Sequence, residues 1–218
     1  METLKIISTN YINYNVKRFV VERPQKLLYR PGQSALLSIN LPGWEDQIRS
    51  FTFTSLNNWP FLEFIIKIYD DHEGVTKQLG KLNAGAELLL HDINGSIEYR
   101  GPGIFIAGGT GITPFIAIFR ALFLTQNLRN VGLIYSNHSK EDVILHDELS
   151  RMLGPAYMNV LTRQGIIGFK ERKIDREFLI QAISDFSHNF YVCGPANFTN
   201  EISDILISLG AKPALLIV

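Results

Sequence analysis

The chain has 218 residues, 46% of them hydrophobic, and its 21 Lys and Arg balance 21 Asp and Glu. That length and apolar content allow one large domain or two small ones around a sizeable core, and the zero net charge gives no electrostatic footprint for nucleic acid or an anionic membrane. The single cysteine, Cys193, excludes an internal disulfide and any cysteine-only metal or iron–sulfur centre within this chain.

The opening METLKIISTNYINYNVKRF lacks the apolar core of a signal peptide. No apolar run reaches the ~18 residues of a membrane span. The longest, Ile104 to Leu124, is broken by glycines, a proline and Arg120. A soluble cytoplasmic protein is therefore expected. From Leu4 to Tyr99 the chain reads as short alternating strands, among them NVKRFVVERP, SALLSINL, IRSFTFTS, LEFIIKIY and AELLLHD. Turn signals such as Arg30-Pro31-Gly32-Gln33, Pro42-Gly43 and Asn94-Gly95 separate them. This pattern predicts an antiparallel barrel or sandwich. One helix is expected at GVTKQLGKL, where Val75, Leu79 and Leu82 recur at helical spacing.

The rhythm changes near Tyr99–Pro102, which is taken as the boundary between residues 1–100 and 101–218. GIFIAG, NVGLIYS and NFYVCG read as buried strands. Helices are predicted at 114–124, 141–152, 175–184 and 197–209, and the final ALLIV as a last strand. Alternating strands and helices imply a parallel sheet covered on both faces.

The junction of the first such strand and helix is GIFIAGGTGITPF, residues 103–115. A glycine turn there presents backbone N–H groups at a helix N-terminus, which favours an anion and lets a pyrophosphate approach without a Cβ in the way. Thr110 and Thr113 add hydroxyls, with Thr113 the expected cap and Pro114 in the first helical turn. A tight turn without a ligand is the plainer alternative. The pattern is Gly109-x-Gly111-x-x-Pro114, not G-x-G-x-x-G, and the second strand ends in Tyr135-Ser136-Asn137-His138 with no acid for a ribose diol.

Three more stretches carry chemistry. In RSFTFTS, alternation places Arg49, Phe51, Phe53 and Ser55 on one face and Ser50, Thr52 and Thr54 on the other. An Arg beside aromatics and hydroxyls suits a phosphate plus a flat ring, although an ordinary amphipathic strand reads the same way. Gly74-Val75-Thr76 opens the predicted helix, and offers amides to an anion or simply caps it. Cys193-Gly194-Pro195 closes a predicted parallel strand, where ligands of open α/β sheets collect. The histidines His72, His91, His138, His146 and His188 are scattered, so no metal site is expected.

Together, in order and across nearly the whole chain, Arg30–Gln33, Arg49–Thr52, Gly74–Thr76, Gly108–Pro114 and Cys193–Pro195 resemble the ferredoxin–NADP reductase superfamily. The resemblance implies an N-terminal FAD-binding antiparallel Greek-key β-barrel and a C-terminal NAD(P)-binding α/β domain with a parallel sheet. By it, Arg49 pairs with flavin phosphates, Phe51 packs on the isoalloxazine and Thr52 contacts the N5 region. Ser50, Ile66 and Lys67 join the implied cofactor-binding set. Gly74, Val75 and Thr76 give amides to the FAD pyrophosphate. Gly109, Thr110, Gly111, Thr113 and Pro114 hold the pyrophosphate of NADPH or NADH. Cys193 sits near the nicotinamide, with Gly194 and Pro195 shaping its pocket; Thr52 and Cys193 are the implied catalytic residues.

Two departures stand out. Phe51 replaces the commoner tyrosine, and no aromatic follows Phe198, so an open flavin face is expected. Ser136, Asn137, Lys140 and Arg163, the last after the strand-like MNVLT, are the candidate partners for a 2′-phosphate, which favours NADPH; a solvated loop charge is the plainer reading of Arg163. The expected function is hydride transfer from NAD(P)H to FAD, then electron transfer to a separate ferredoxin, flavodoxin or oxygenase component. The alternative is a nucleotide-binding electron-transfer subunit without turnover of its own.

Overall fold

The computed structural model describes residues 1–71, 73–95, 97–163 and 170–218, with the side chains of Lys170 and Glu171 left aside. His72 lies outside the described residues.

The N-terminal half folds as six antiparallel strands: β1 (Glu2–Tyr11), β2 (Val16–Glu22), β3 (Ser34–Ile39), β4 (Arg49–Thr52), β5 (Phe61–Lys67) and β6 (Glu87–Asn94). Their order is β4-β3-β6-β1-β2-β5, and a Phe53–Phe64 bridge joins the two outer strands and closes the barrel. After Thr52 the chain leaves β3 and pairs with β5 through Thr54 N–H to the Glu63 carbonyl, 2.9 Å. Phe19, Phe53, Phe64, Leu4 and Leu37 fill the interior. β5 is buried on both faces: Leu62, Phe64 and Ile66 point inward, while Glu63 and Ile65 alternate outward under the second domain.

Helix α1 (Val75–Lys81) bridges β5 and β6. Val75, Leu79 and Leu82 are all buried, as their spacing predicts. The Lys17 ammonium, 5% exposed, donates to the carbonyls of Gly80 and Leu82 at 2.9 and 2.7 Å, and so satisfies the C-terminal end. The N-terminal end has no side-chain cap.

The C-terminal half is a parallel sheet of β7 (Gly103–Gly108), β8 (Val131–Asn137), β9 (Tyr157–Leu161), β10 (Lys170–Glu171), β11 (Asn189–Cys193) and β12 (Leu216–Ile217), in the order β10-β9-β8-β7-β11-β12. Helices α2 (Thr113–Leu124), α3 (His146–Leu153), α4 (Arg176–Ala182) and α5 (Ala196–Ser208) cover it. Successive residues of β7 serve opposite cores: Phe105 packs with Phe115, Phe119 and Tyr191, whereas Ile106 packs with Phe178, Phe190 and Leu206. Val16 and Ile65 of the barrel belong to the first of these clusters, so an apolar seam joins the two halves. The Tyr191 hydroxyl donates to the Gly101 carbonyl at 2.7 Å and pins the connecting segment to the sheet.

Two expected elements differ. The helix foreseen at 141–152 is a 3-10 turn, Lys140–Asp142, followed by α3. Between them Leu145 is left-handed at φ 53°, which breaks a continuous helix. Only two residues of ALLIV form β12, because Pro213 opens a 3-10 turn just before it. Among the described residues, no helix is long and apolar enough to cross a membrane.

Candidate functional site

The glycine turn sits where an α/β sheet collects ligands. β7 and β8 lie adjacent, and β11 flanks β7 on the other side, so residues 108–113 emerge at the carboxyl ends of three neighbouring strands. The turn is a 3-10 segment, Gly109–Ile112, running straight into α2. This corrects the expectation for Thr113. It is the first residue of α2 rather than its cap, and its hydroxyl donates to the Thr110 carbonyl at 3.0 Å. The 3-10 segment displaces the cap by one residue, and Ile112 in that position offers no side-chain bond.

The three glycines divide the work. Gly109 is left-handed at φ 54°, and a Cβ built there meets nothing within 4 Å. It faces open space at the mouth of the cleft described below. Gly111 is the opposite case: its Cβ would lie 2.2 Å from the Cys193 carbonyl oxygen and 2.6 Å from the Gly194 nitrogen. Close approach of the turn to the end of β11 therefore requires glycine. Gly108 and Gly194 both lie under the Phe198 ring, and Cβ atoms on them would approach its Cδ1 at 3.0 and 2.7 Å. Phe198 is a site residue that sequence reasoning missed as such; an aromatic one turn into the helix after Cys-Gly-Pro was the available signal.

Beyond the turn opens a cleft of about 590 Å³ shared by both halves. From the nucleotide side Gly109, Thr110, Arg163, Pro195 and Phe198 line it; from the barrel side Lys67 and Tyr69 do. The cleft thus brings together Gly109, Thr110, Arg163 and Pro195 of the expected nicotinamide-nucleotide set, with Lys67 added; Gly111, Thr113, Pro114, Cys193 and Gly194 are not among its lining residues. Ser136 and Asn137, expected near a 2′-phosphate, also line it, as does Lys173, which was not foreseen. Asn137 is 5% exposed, and among the described residues neither its side-chain oxygen nor its nitrogen has a partner within hydrogen-bond geometry. A buried amide left open at the wall of a cleft fits a polar ligand. Asp142 lines the same wall; burial alone would raise its carboxyl, but hydrogen bonds from Tyr14 and Ser139 hold it below the usual carboxylate range. The Tyr14–Asp142 contact, at 2.5 Å, links the two halves.

Cys193 ends β11 beside the turn. Burial pushes its thiol up to about 11, against a weaker opposing hydrogen bond from the Gly194 amide. At neutral pH it is a protonated thiol rather than a nucleophile.

The barrel residues form a second group on β4 and α1. Arg49 is exposed, and among the described residues its guanidinium makes one hydrogen bond, to the Ile48 carbonyl at 2.8 Å, which leaves most of its donors available there. Ser50 is exposed and donates to Asn94 at 3.2 Å; Thr52 faces Ser34 across the β3–β4 pair at 3.2 Å. Phe51 packs half-buried against the barrel core. The N-terminal amides of α1 at Gly74–Thr76 have no side-chain cap. Uncommitted guanidinium donors, a flat ring and uncapped amides are the donor set that a dinucleotide carrying a planar ring needs. Ile66 and Val75 are 3% and 4% exposed with side chains in the barrel core, so any contact they make with a cofactor runs through the backbone, as was expected of Val75.

Among the described residues, no group of three or more His, Cys, Asp or Glu is placed to hold a metal ion.

Comparison with known proteins agrees with this architecture. Residues 105–204 match the oxidoreductase NAD-binding domain family. The NADH-cytochrome b5 reductase 1 of Eremothecium gossypii is 29% identical over 223 residues, which cover 93% of this chain and 76% of that protein. A ferredoxin NADP+ reductase from Neisseria gonorrhoeae, solved with bound FAD and NADP, superposes with a TM-score of 0.83 at 22% identity, covering 96% and 91% of the two chains. The flavohem-like FAD/NAD-binding domain of nitric oxide dioxygenase from Vibrio cholerae gives 0.84 at 21% identity, covering 99% and 96%. Residues 105–204 thus match an oxidoreductase NAD-binding domain, and the chain as a whole shares the two-domain fold of these FAD- and NAD(P)-binding reductases.

Proposed function

We propose that residues 1–100 bind FAD, that residues 101–218 bind NAD(P)H, and that the protein passes electrons from that coenzyme to a separate small haem protein. The observation that carries the reading is the cleft itself. It begins at the Gly109 turn and ends at Lys67 and Tyr69 of the barrel, so a ligand of the second domain reaches the first. Bound FAD supplies the hydride acceptor and the means to release electrons singly.

The chain's own residues bind and orient. Arg49 and the amides of Gly74–Thr76 take the flavin phosphates. Phe51 packs on the ring, and the Thr52 hydroxyl, held by Ser34, serves its reactive edge. The Gly109 turn takes the nicotinamide pyrophosphate. Cys193, a neutral thiol at the end of β11 against the Gly111 turn, borders the nicotinamide site without carrying charge into it. The main contribution to rate is proximity of the two rings.

A haem acceptor replaces the ferredoxin or flavodoxin expected from sequence, because the relative named above is a cytochrome b5 reductase. The cleft admits either coenzyme: β8 ends without a carboxylate to repel a 2′-phosphate, and Arg163 and Lys173 can pair with one. A cytoplasmic setting fits the single free cysteine. The test is reduction of cytochrome b5, ferredoxin and flavodoxin under NADH and NADPH. Faster turnover with the haem protein supports the reading. Ferredoxin or flavodoxin as the better acceptor overturns that choice of partner.

A further inference from the structure

Between the barrel and the nucleotide domain lies a group of charges that takes no part in either cofactor site. Arg120, in the middle of α2, is 7% exposed. Its Nε and one terminal nitrogen donate to the two carboxylate oxygens of Glu148 on α3, at 2.6 and 2.9 Å. The other terminal nitrogen crosses to the barrel, donating to Glu63 at 2.6 Å and to the Thr54 carbonyl at 2.7 Å. Arg18 of β2 stands 3.3 Å from the far oxygen of Glu63, and the Trp59 ring lies beneath the guanidinium at 4.9 Å. Two cations and two carboxylates thus close a neutral quartet across the domain boundary.

Resting on the reading above, we propose that this quartet sets the register between the two domains, and that Arg120 is a positioning residue for hydride transfer. Its placement carries the argument. Arg120 is seven residues along α2 from Thr113, about 10 Å at the helical rise, so it is rigidly coupled to the glycine turn. Thr54 lies two residues beyond Thr52, so the same guanidinium grips the strand that serves the flavin. One side chain therefore holds both cofactor-binding elements.

Glu148 has a defined part. By engaging two edges of the guanidinium it orients the remaining nitrogen at the barrel, a geometry that a lysine cannot reproduce. Buried ion pairs of this kind contribute little net stability compared with apolar packing; they restrict geometry. The apolar seam of Val16, Ile65 and Phe115 supplies adhesion without register.

The test uses the full chain with FAD bound, comparing Arg120→Lys and Glu148→Gln with the wild type. Both are expected to retain FAD. Anaerobic flavin reduction by NAD(P)H should slow at least tenfold in Arg120→Lys and less in Glu148→Gln, with the isotope effect from deuterated coenzyme fully expressed. Reoxidation of dithionite-reduced protein by ferricyanide, which needs no domain register, should stay within twofold. Scanning calorimetry should keep one melting transition in every variant, because the apolar seam that supplies adhesion is intact. Small-angle scattering should show a changed profile for Arg120→Lys relative to the wild type, as the domain register relaxes. Reduction within twofold of wild type, equal slowing of reduction and ferricyanide oxidation, or an unchanged scattering profile would each overturn the proposal. If the wild type itself were not reduced by NAD(P)H, the reductase reading would fall, and scattering would still decide whether the quartet sets the register.

Discussion

Gly111→Ala is the sharpest test of how the turn is built. The added Cβ would sit 2.2 Å from the Cys193 carbonyl oxygen and 2.4 Å from its carbonyl carbon. Both are backbone atoms of a strand paired to β7, so neither can rotate away. Ordinary contact requires a displacement of about 1 Å, and overpacking of this kind costs about 1–3 kcal/mol. For a chain of this size that corresponds to a Tm lower by roughly 2–12 °C. The shift should also move Cys193 and Gly194, and so slow flavin reduction. Gly109→Ala is the internal control. It meets no protein atom within 4 Å but must adopt φ 54°, a strain of about 1–2 kcal/mol. Its methyl group projects into the space assigned to the pyrophosphate, so its KM for NAD(P)H should rise about tenfold or more. Differential scanning calorimetry and steady-state kinetics on both variants check the assignment. A Gly111→Ala protein melting within about 1 °C of wild type, or a Gly109→Ala protein with unchanged KM, would refute it.

Arg49→Ala should fold normally, because the side chain is exposed and bonds only to a neighbouring carbonyl, yet lose about 1.5–3 kcal/mol of FAD affinity; fluorescence titration reads this directly. Cys193 should resist iodoacetamide at pH 7, with alkylation accelerating only as pH climbs toward about 11; rapid modification at neutral pH would contradict its buried, protonated state. Glu148 is held below the usual carboxylate range by Arg120 in spite of its burial. Its contribution to stability is therefore present above the ordinary glutamate value near ~4.3 and is lost as pH falls through the depressed folded value. Acid titration of Tm should show a loss in that window that is smaller in Glu148→Gln.

Much of this was legible in sequence because it is local. The change from alternating strands to strand–helix units marks the shift from barrel to parallel sheet, and the spacing of Val75, Leu79 and Leu82 predicts α1. The glycine turn is legible for the same reason: strand, turn and helix are contiguous. What escaped is long-range or depends on one dihedral. Arg120 meets Thr54 and Glu63 across 66 and 57 residues, and an arginine within an apolar helix looks like an interruption until both carboxylates are in place. The break at Leu145 rests on a single left-handed residue that no propensity favours. Lys173 joins the cleft only because β8 and the segment after β10 end on the same side of the sheet.

The central claim is that a nucleotide held at the Gly109 turn reduces a flavin held by the barrel. It is tested most directly by anaerobic titration of the FAD-loaded protein with NADH and with NADPH, following the flavin absorbance. The account predicts bleaching at one equivalent of coenzyme, and recovery of colour when oxidised cytochrome b5 is added. A protein that binds no FAD, or whose flavin spectrum stays unchanged with both coenzymes, would contradict it.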